Sequence, residues 1–205
     1  MFLNQSPVEF VESASSLGIV IESSLDWTKF ILLQCGKIYA CLRSLYMMAS
    51  SFSSKTKLML FKSLIFPHFI TCDFLLLEAS SFALSKLRVA LNACVRFVFN
   101  LNRLASVSRL QHRLIGCPFE KFAELRACVF LHKLVRTEEP DYLFSKLQPF
   151  RSTRSRKFIL PRHRTSKYGR SFFVRGVGFW NLLPNELPLI RSAIVFKRRC
   201  NEHCN

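Results

Sequence analysis

Residues 84–99 read LSKLRVALNACVRFVF. Leu84, Leu87, Leu91, Val95 and Val98 recur at three- and four-residue steps, so one apolar stripe runs along a helix that must bury it. Lys86, Asn92 and Arg96 fall off that stripe. Downstream, Pro118 suits a first helical turn, and residues 119–135 place Phe122, Leu125, Val129 and His132 on one side. Phe119, Phe130, Leu131 and Leu134 widen that face. Glu120 and Glu124 come early and Lys133 and Arg136 late, which suits the helix dipole. A short helix is expected after Glu139-Pro140-Asp141.

Upstream, Asp26 can cap a helix running from Trp27 towards Met48 and ending in the serines of 50–54. A second helix is expected over 55–66, stopping near Pro67. The β-branched run 17–21 reads as a strand, followed by a turn at Ser23-Ser24. Past residue 148 the composition turns to Arg, Ser, Thr and Lys. There the reading gives short strands at 157–160 and 171–175, one or two helical turns over 176–183 closed by Pro184, and a last helix from Ser192 through Cys200. The expected class is mainly α with minor β, a helical bundle followed by a small basic α+β segment. The shift near residue 148 marks a candidate junction between the helical body and the basic appendage.

The chain has 205 residues, half of them hydrophobic, so it can bury a core and is not globally disordered. Its net charge is +17. Two tracts hold no Asp or Glu at all. Residues 142–185 carry Lys146, Arg151, Arg154, Arg156, Lys157, Arg162, Arg164, Lys167, Arg170 and Arg175. Residues 79–119 carry Lys86, Arg88, Arg96, Arg103, Arg109 and Arg113. Like charges left unneutralised repel unless a polyanion lies on them, and nucleic acid is the commonest polyanion. The candidate phosphate-binding residues are therefore Arg151, Arg154, Arg156, Lys157, Arg162, Arg164, Lys167 and Arg170, with Lys86, Arg88 and Arg96 as a second group. A solvated face and an Arg-rich linker are the alternative readings of the first tract. Tyr168 is the aromatic residue placed to stack on bases, while Phe172 and Phe173 read as core.

Other chemistries find little support. The most apolar window, 58–77, is interrupted by Lys62, Pro67, His68 and Asp73, so no membrane insertion is expected. No secretory signal is visible, and most of the eight cysteines sit in apolar helical runs, which points to reduced thiols in the cytoplasm or nucleus. Cys200, His203 and Cys204 make half a metal site with no second pair nearby, and a frayed terminus is the plainer reading. His68 reads as structural. No Gly-rich phosphate loop, nucleophile–base pair, cofactor or small-molecule substrate is indicated.

Several blocks, in order and at consistent spacing, resemble the C-terminal part of reverse transcriptases of LINE-type (non-LTR) retrotransposons of the jockey-like kind. They are Leu17-Gly18-Ile19-Val20-Ile21 with Leu25-Asp26-Trp27, then Leu60-Phe61-Lys62-Ser63-Leu64-Ile65-Phe66-Pro67-His68, then Arg96-Phe97-Val98-Phe99-Asn100-Leu101. The tail adds Thr153-Arg154, Leu160-Pro161, Arg164-Thr165, Tyr168, Ser171-Phe172, Gly178, Trp180-Asn181, Leu183-Pro184 and Phe196-Lys197. Ser16 and Thr71 stand where the family carries aromatic residues, and no Trp follows Asp73, as in a diverged copy.

The resemblance implies the end of the palm at 1–27, a thumb-like helical region at 28–147 and the basic C-terminal segment at 148–205. In the parent fold the strand at 17–21 belongs to a palm sheet that this chain lacks, so its backbone is expected to be without ladder partners and 16–27 to be poorly stabilised. It implies that the thumb grips template–primer duplex and that the tail helps to bind element RNA or target DNA. The polymerase of that family holds two Mg²⁺ on clustered palm aspartates. This chain has three Asp in all, Asp26, Asp73 and Asp141, none adjacent. The expectation is thus a catalytically inactive fragment that keeps electrostatic, largely sequence-independent RNA or DNA binding. A retroelement remnant without function and a basic protein of anionic membrane surfaces are the alternatives. Primer extension with Mg²⁺ or Mn²⁺ is expected to yield no template-dependent product from the purified chain. Synthesis above a no-protein control would overturn that expectation.

Overall fold

A computed structural model describes residues 10–71, 73–150 and 157–203, and the backbone alone at Phe2–Leu3, Ser6–Pro7 and residue 204. It is mainly helical with minor antiparallel β structure. The strands β1 (Phe2–Leu3) and β2 (Ser6–Pro7) pair with each other, as do β3 (Ser13–Ser16) and β4 (Ile19–Glu22).

The β3–β4 hairpin corrects the expectation of a strand without partners. Ser13 pairs with Glu22 and Ser16 with Ile19, closed by a two-residue loop. Both loop residues, Leu17 (φ 50°) and Gly18 (φ 79°), are left-handed, the geometry that matches strand twist in tight hairpins. The partner strand is Ser-rich and fully exposed, so its sequence carried no apolar alternation to announce it.

Helix α1 (Thr28–Tyr46) buries Phe30, Ile31, Cys35, Ile38 and Leu42. Asp26 Oδ1 accepts from Thr28 N at 3.0 Å and from Thr28 Oγ1 at 2.8 Å, so it caps the first turn from one position upstream of the N-cap. Helix α2 (Ser54–Leu60) is capped by Ser53, whose side chain accepts from Thr56 N. It does not stop near Pro67. A π-helical segment (Phe61–Ile65) leads into α3 (Phe66–Ile70), with Pro67 in the first turn of α3. The wider π turn absorbs the ring and the missing N–H that would break a regular helix. Phe61, Ile65 and Phe69 can then all face the core.

Helix α4 (Ser81–Phe99) is where residues 84–99 placed it. Ser80 caps it onto Ala83 N, and Asn100 ends it in the left-handed conformation. Leu87, Leu91, Val95 and Val98 are buried, and Leu84 packs at the edge of the core. The α1 and α4 axes run parallel. Thr28 Oγ1 meets Ser80 Oγ at 3.0 Å at their starts, and the Tyr46 and Phe97 rings meet edge-on at 5.1 Å at their ends. Lys57 is buried at the C-terminal end of α4, bonded to Asn100 Oδ1 and 5.4 Å from the Phe97 ring centre. The helix dipole favours a cation there.

A 3₁₀ turn (Asp73–Leu77) precedes α4, and α5 (Ser108–Ile115) follows it, neither expected from the sequence. Helix α6 (Phe119–Thr137), with Pro118 as its N-cap, and the short α7 (Asp141–Phe144) match their expectations. Among the described residues, 157–160 make one bridge, Phe158 to Pro149, rather than a strand. Asn181 substitutes for a second strand: its Oδ1 accepts from Phe158 N at 3.0 Å and its Nδ2 donates to Phe158 O at 2.7 Å.

The expected strand at 171–175 is instead helix. After α8 (Ser166–Gly169), α9 (Phe172–Leu182) continues through both expectations at once, burying Val174, Val177 and Trp180 on one face. Phe-Phe-Val favours strand locally, but the three-residue spacing of the buried side chains decides in favour of helix. Helix α10 (Ala193–Cys204) buries Phe196 and Cys200 and runs past the expected end at Cys200. Ser192 Oγ accepts from Val195 N at its start.

Both α9 and α10 lie on α6. His132 Nε2 and Ile190 O are 2.6 Å apart, and Arg136 donates to Leu189 O at 2.9 Å and Ile190 O at 3.1 Å. The core therefore runs from Phe30 to Cys200 as one cluster, across residue 148. Leu131, fully buried in α6, would sit 3.6 Å from a Cβ added at Gly176 of α9. Leu131→Ala is expected to cost about 2–5 kcal/mol in urea unfolding, while Leu182→Ala, at an exposed position, costs under about 0.5 kcal/mol.

Asp73 is buried and paired with Arg126. Burial pushes its carboxyl above the usual value, and the Arg126 hydrogen bond and charge oppose this only in part. A raised folded-state pKa contributes stability below the unfolded value, and that contribution is lost as pH rises through the folded value. Asp73→Asn is expected to flatten the pH dependence of stability over that interval, checked by urea melts at stepped acid pH.

Candidate nucleic-acid interface

Charge neutralisation inside the fold decides which cations are available to a ligand. Four ion pairs form among the described residues: Arg88–Glu120, Lys121–Glu124, Arg126–Asp73 and Arg199–Glu202. Against 30 Lys and Arg in the sequence, these leave most of the positive field uncancelled.

Arg151, Arg154 and Arg156 lie outside the described residues. Lys157 is half-buried, and its carbonyl accepts from Phe150 N. Arg162 and Arg164 are exposed on the segment entering α8 and make no hydrogen bond or ion pair among the described residues. This segment is held against α8 by His163: a Cβ on Gly169 would come within 2.8 Å of its ring. Thr165 caps α8 by accepting from Tyr168 N, and Tyr168 is 45% exposed, available for stacking. Phe172 and Phe173 pack against the core as expected.

Lys167 and Arg170 point elsewhere. Lys167 Nζ donates to the Ser24 carbonyl, and both cations line a cavity of about 220 Å³ with Asp26 and Glu78. Glu78 also accepts from Trp27 Nε1 at 3.2 Å. The tract holds no acid in sequence, but the fold brings two carboxylates to this end of it.

The second group also divides. Lys86 is exposed, its Nζ 5.2 Å from the Phe82 ring centre. Arg88 pairs with Glu120 and lies over Phe119. Arg96 is half-buried and reaches Ala105 O at 3.4 Å. Arg88 and Glu120 also stand at a largely apolar cavity of about 510 Å³ between α4 and α6, with Leu84, Phe119 and Phe122 in its walls. That cavity gathers none of the other candidate cations.

A third carboxylate-free tract, residues 27–72, carries Lys29, Lys37, Arg43, Lys55, Lys57 and Lys62. The rule that singles out the other two tracts also finds this one. Which of its side chains face water follows only from the register of α1 and α2.

Among the described residues no group of three or more His, Cys, Asp or Glu could hold a metal ion, and no helix is long and apolar enough to cross a membrane. No protein-family profile, curated protein or solved structure matches the chain.

The two halves of the tail tract should respond differently to mutation. Arg162→Ala with Arg164→Ala is expected to flatten the log–log salt dependence of single-strand binding by about 1.4. Lys167→Ala, already engaged with Ser24, is expected to change it by well under about 0.7. Fluorescence anisotropy at stepped salt reads both slopes.

Proposed function

We propose that this chain binds RNA or DNA through the phosphate backbone, without strong sequence preference, as a catalytically inactive C-terminal piece of a non-LTR retrotransposon reverse transcriptase. The observation that carries the binding half is the pair Arg162 and Arg164, exposed and without carboxylate partners among the described residues, inside an acid-free tract. Such cations gain from displacing condensed counterions off a polyanion, and the gain does not depend on base identity. Tyr168, exposed on the next turn, adds a stacking surface of the kind single strands use. The reverse-transcriptase half rests on the ordered motifs from Leu17-Gly18 to Phe196-Lys197. Inactivity rests on the scarcity of aspartate: the polymerases the chain resembles cluster two adjacent palm aspartates and a third around two metal ions, and Asp26, Asp73 and Asp141 include no adjacent pair.

A second reading has its own observation. Phe150, Ile159 and Leu160 are exposed beside the same arginines, an apolar and basic combination that also suits an anionic lipid surface. Competition separates the two readings. Labelled oligonucleotide bound to the chain is titrated with vesicles of phosphatidylserine and phosphatidylcholine. Nucleic-acid binding predicts that excess unlabelled oligonucleotide displaces the probe at low micromolar concentration while vesicles do not. Displacement by vesicles alone supports the lipid reading, and no binding of either supports a remnant without function.

A further inference from the structure

The outward face of α1 is an uncovered surface of unusual composition. Leu32, Tyr39, Arg43 and Tyr46 lie seven, eleven and fourteen residues along the helix from the first, so they share one side. Leu32, Tyr39 and Tyr46 are 40%, 41% and 51% exposed, and Arg43 is exposed. The neighbouring ridge carries Gly36, above which a Cβ would meet nothing within 4 Å. Three large apolar or aromatic side chains, a cation and a gap thus face solvent together. Helix α4 continues the surface. Phe97 touches Tyr46, and Lys86, Ala93 and Phe97 fall at offsets of seven and eleven, so Lys86 lies on the α1 side of α4. Lys86 in turn sits over Phe82, which is 54% exposed.

The chemistry of the occupant follows from charge and shape. Neither α1 nor α4 carries a carboxylate, and none occurs in α2 or α3. Glu120 of α6 reaches α4 at Arg88, where it is paired, and Asp26 and Glu78 stand at the N-terminal end of the helix pair, beside Trp27. A second copy docked through this same face would set cations against cations. Burial pushes the Tyr39 and Tyr46 hydroxyls above their usual value, so both rings are neutral near pH 7. They are spaced about 10 Å along the axis, with Arg43 between them. Neutral aromatic faces interleaved with cations match alternating bases and phosphates. A duplex hides its base faces and cannot use them.

We propose that the α1–α4 seam, built by Tyr39, Arg43 and Tyr46 with Lys86 and Phe82, is a stacking platform for single-stranded nucleic acid, separate from the Arg162–Arg164 segment. This rests on the nucleic-acid reading above and adds strandedness to it: the arginine segment holds any polyanion, and the seam selects unpaired bases.

The test uses the full chain, labelled oligouridylate and oligothymidylate, and a blunt RNA duplex. Tyr39→Ala is expected to weaken both single strands about tenfold and leave the duplex within about twofold. Tyr39→Phe retains single-strand affinity, because the ring stacks without its hydroxyl. Arg43→Ala flattens the single-strand salt slope by about 0.7. Tyr46 is left intact because it packs on Phe97, and thermal melts confirm that each variant folds. Photocrosslinking with 5-iodouridine provides a second readout, expected at Tyr39 or Tyr46.

Equal losses on single strands and duplex, or no loss with crosslinks confined to 157–175, would overturn the platform while leaving general nucleic-acid binding intact. A parent chain that binds none of the probes overturns both. Vesicle binding or self-association that Tyr39→Ala abolishes, with oligonucleotide binding unchanged, assigns the face to lipid or to a second copy and likewise overturns it.

Discussion

The burial of α6 organises the molecule. Phe119, Phe122, Leu125, Cys128, Leu131 and Leu134 are all buried in it, and neighbours cover it on several sides. The 3₁₀ turn at Asp73–Leu77 is tied to it by Asp73–Arg126, and α5 packs near its start. Helices α9 and α10 close over the remaining faces, with the Phe196 ring stacked 4.1 Å from His132. His132 and Arg136, one turn apart, then hold the carbonyls at the 188–190 turn. A helix buried this fully leaves no apolar seam to separate the helical body from the basic tail. The core is continuous, and the cations are confined to what remains outside.

That constraint explains the surface. With the apolar side chains drawn to one centre and few carboxylates in the chain, positive charge accumulates on α1, α4 and the tail. Local pairing thins it unevenly. Arg88 is matched to Glu120, Arg126 to Asp73, and Lys167 and Arg170 face Asp26 and Glu78. Among the described residues, Arg162 and Arg164 on the tail form no ion pair, nor do Arg43 and Lys86 at the α1–α4 seam. Two separate cationic surfaces, each with exposed tyrosine, suit a flexible polyanion that can touch both at once better than they suit a compact ligand.

Most of the helical frame was legible in the sequence because it is written in the periodicity of large apolar residues. Residues 84–99 and 119–135 repeat at helical spacing, and their caps, Ser80 and Pro118, sit where boundary residues should. What was illegible depended on contacts between distant residues. The helix through Pro67 needs a π turn that no local propensity announces. The strand at 171–175 lost to a helix whose Val174, Val177 and Trp180 find α6 and α10. The partner of the 19–22 strand is a serine run without pattern. In the candidate interface, the sequence marked the acid-free tracts, but it could not show that Lys167 would turn to Ser24 or that Arg88 would meet Glu120. The α1 surface is hidden in the sequence for a related reason. Its tract is acid-free too, but Tyr39, Arg43 and Tyr46 form one ridge only once the helix exists and its other side is buried.

The central claim is that a single core, closed around α6, presents two cationic surfaces to nucleic acid and keeps the α6–α10 packing out of contact. Hydrogen exchange with and without a single-stranded oligonucleotide tests it most directly. Slowed exchange is predicted on peptides spanning 32–47 and 157–170, with peptides of α6 and α10 unchanged. Protection concentrated on α10, or an unchanged exchange pattern at saturating oligonucleotide, would contradict it.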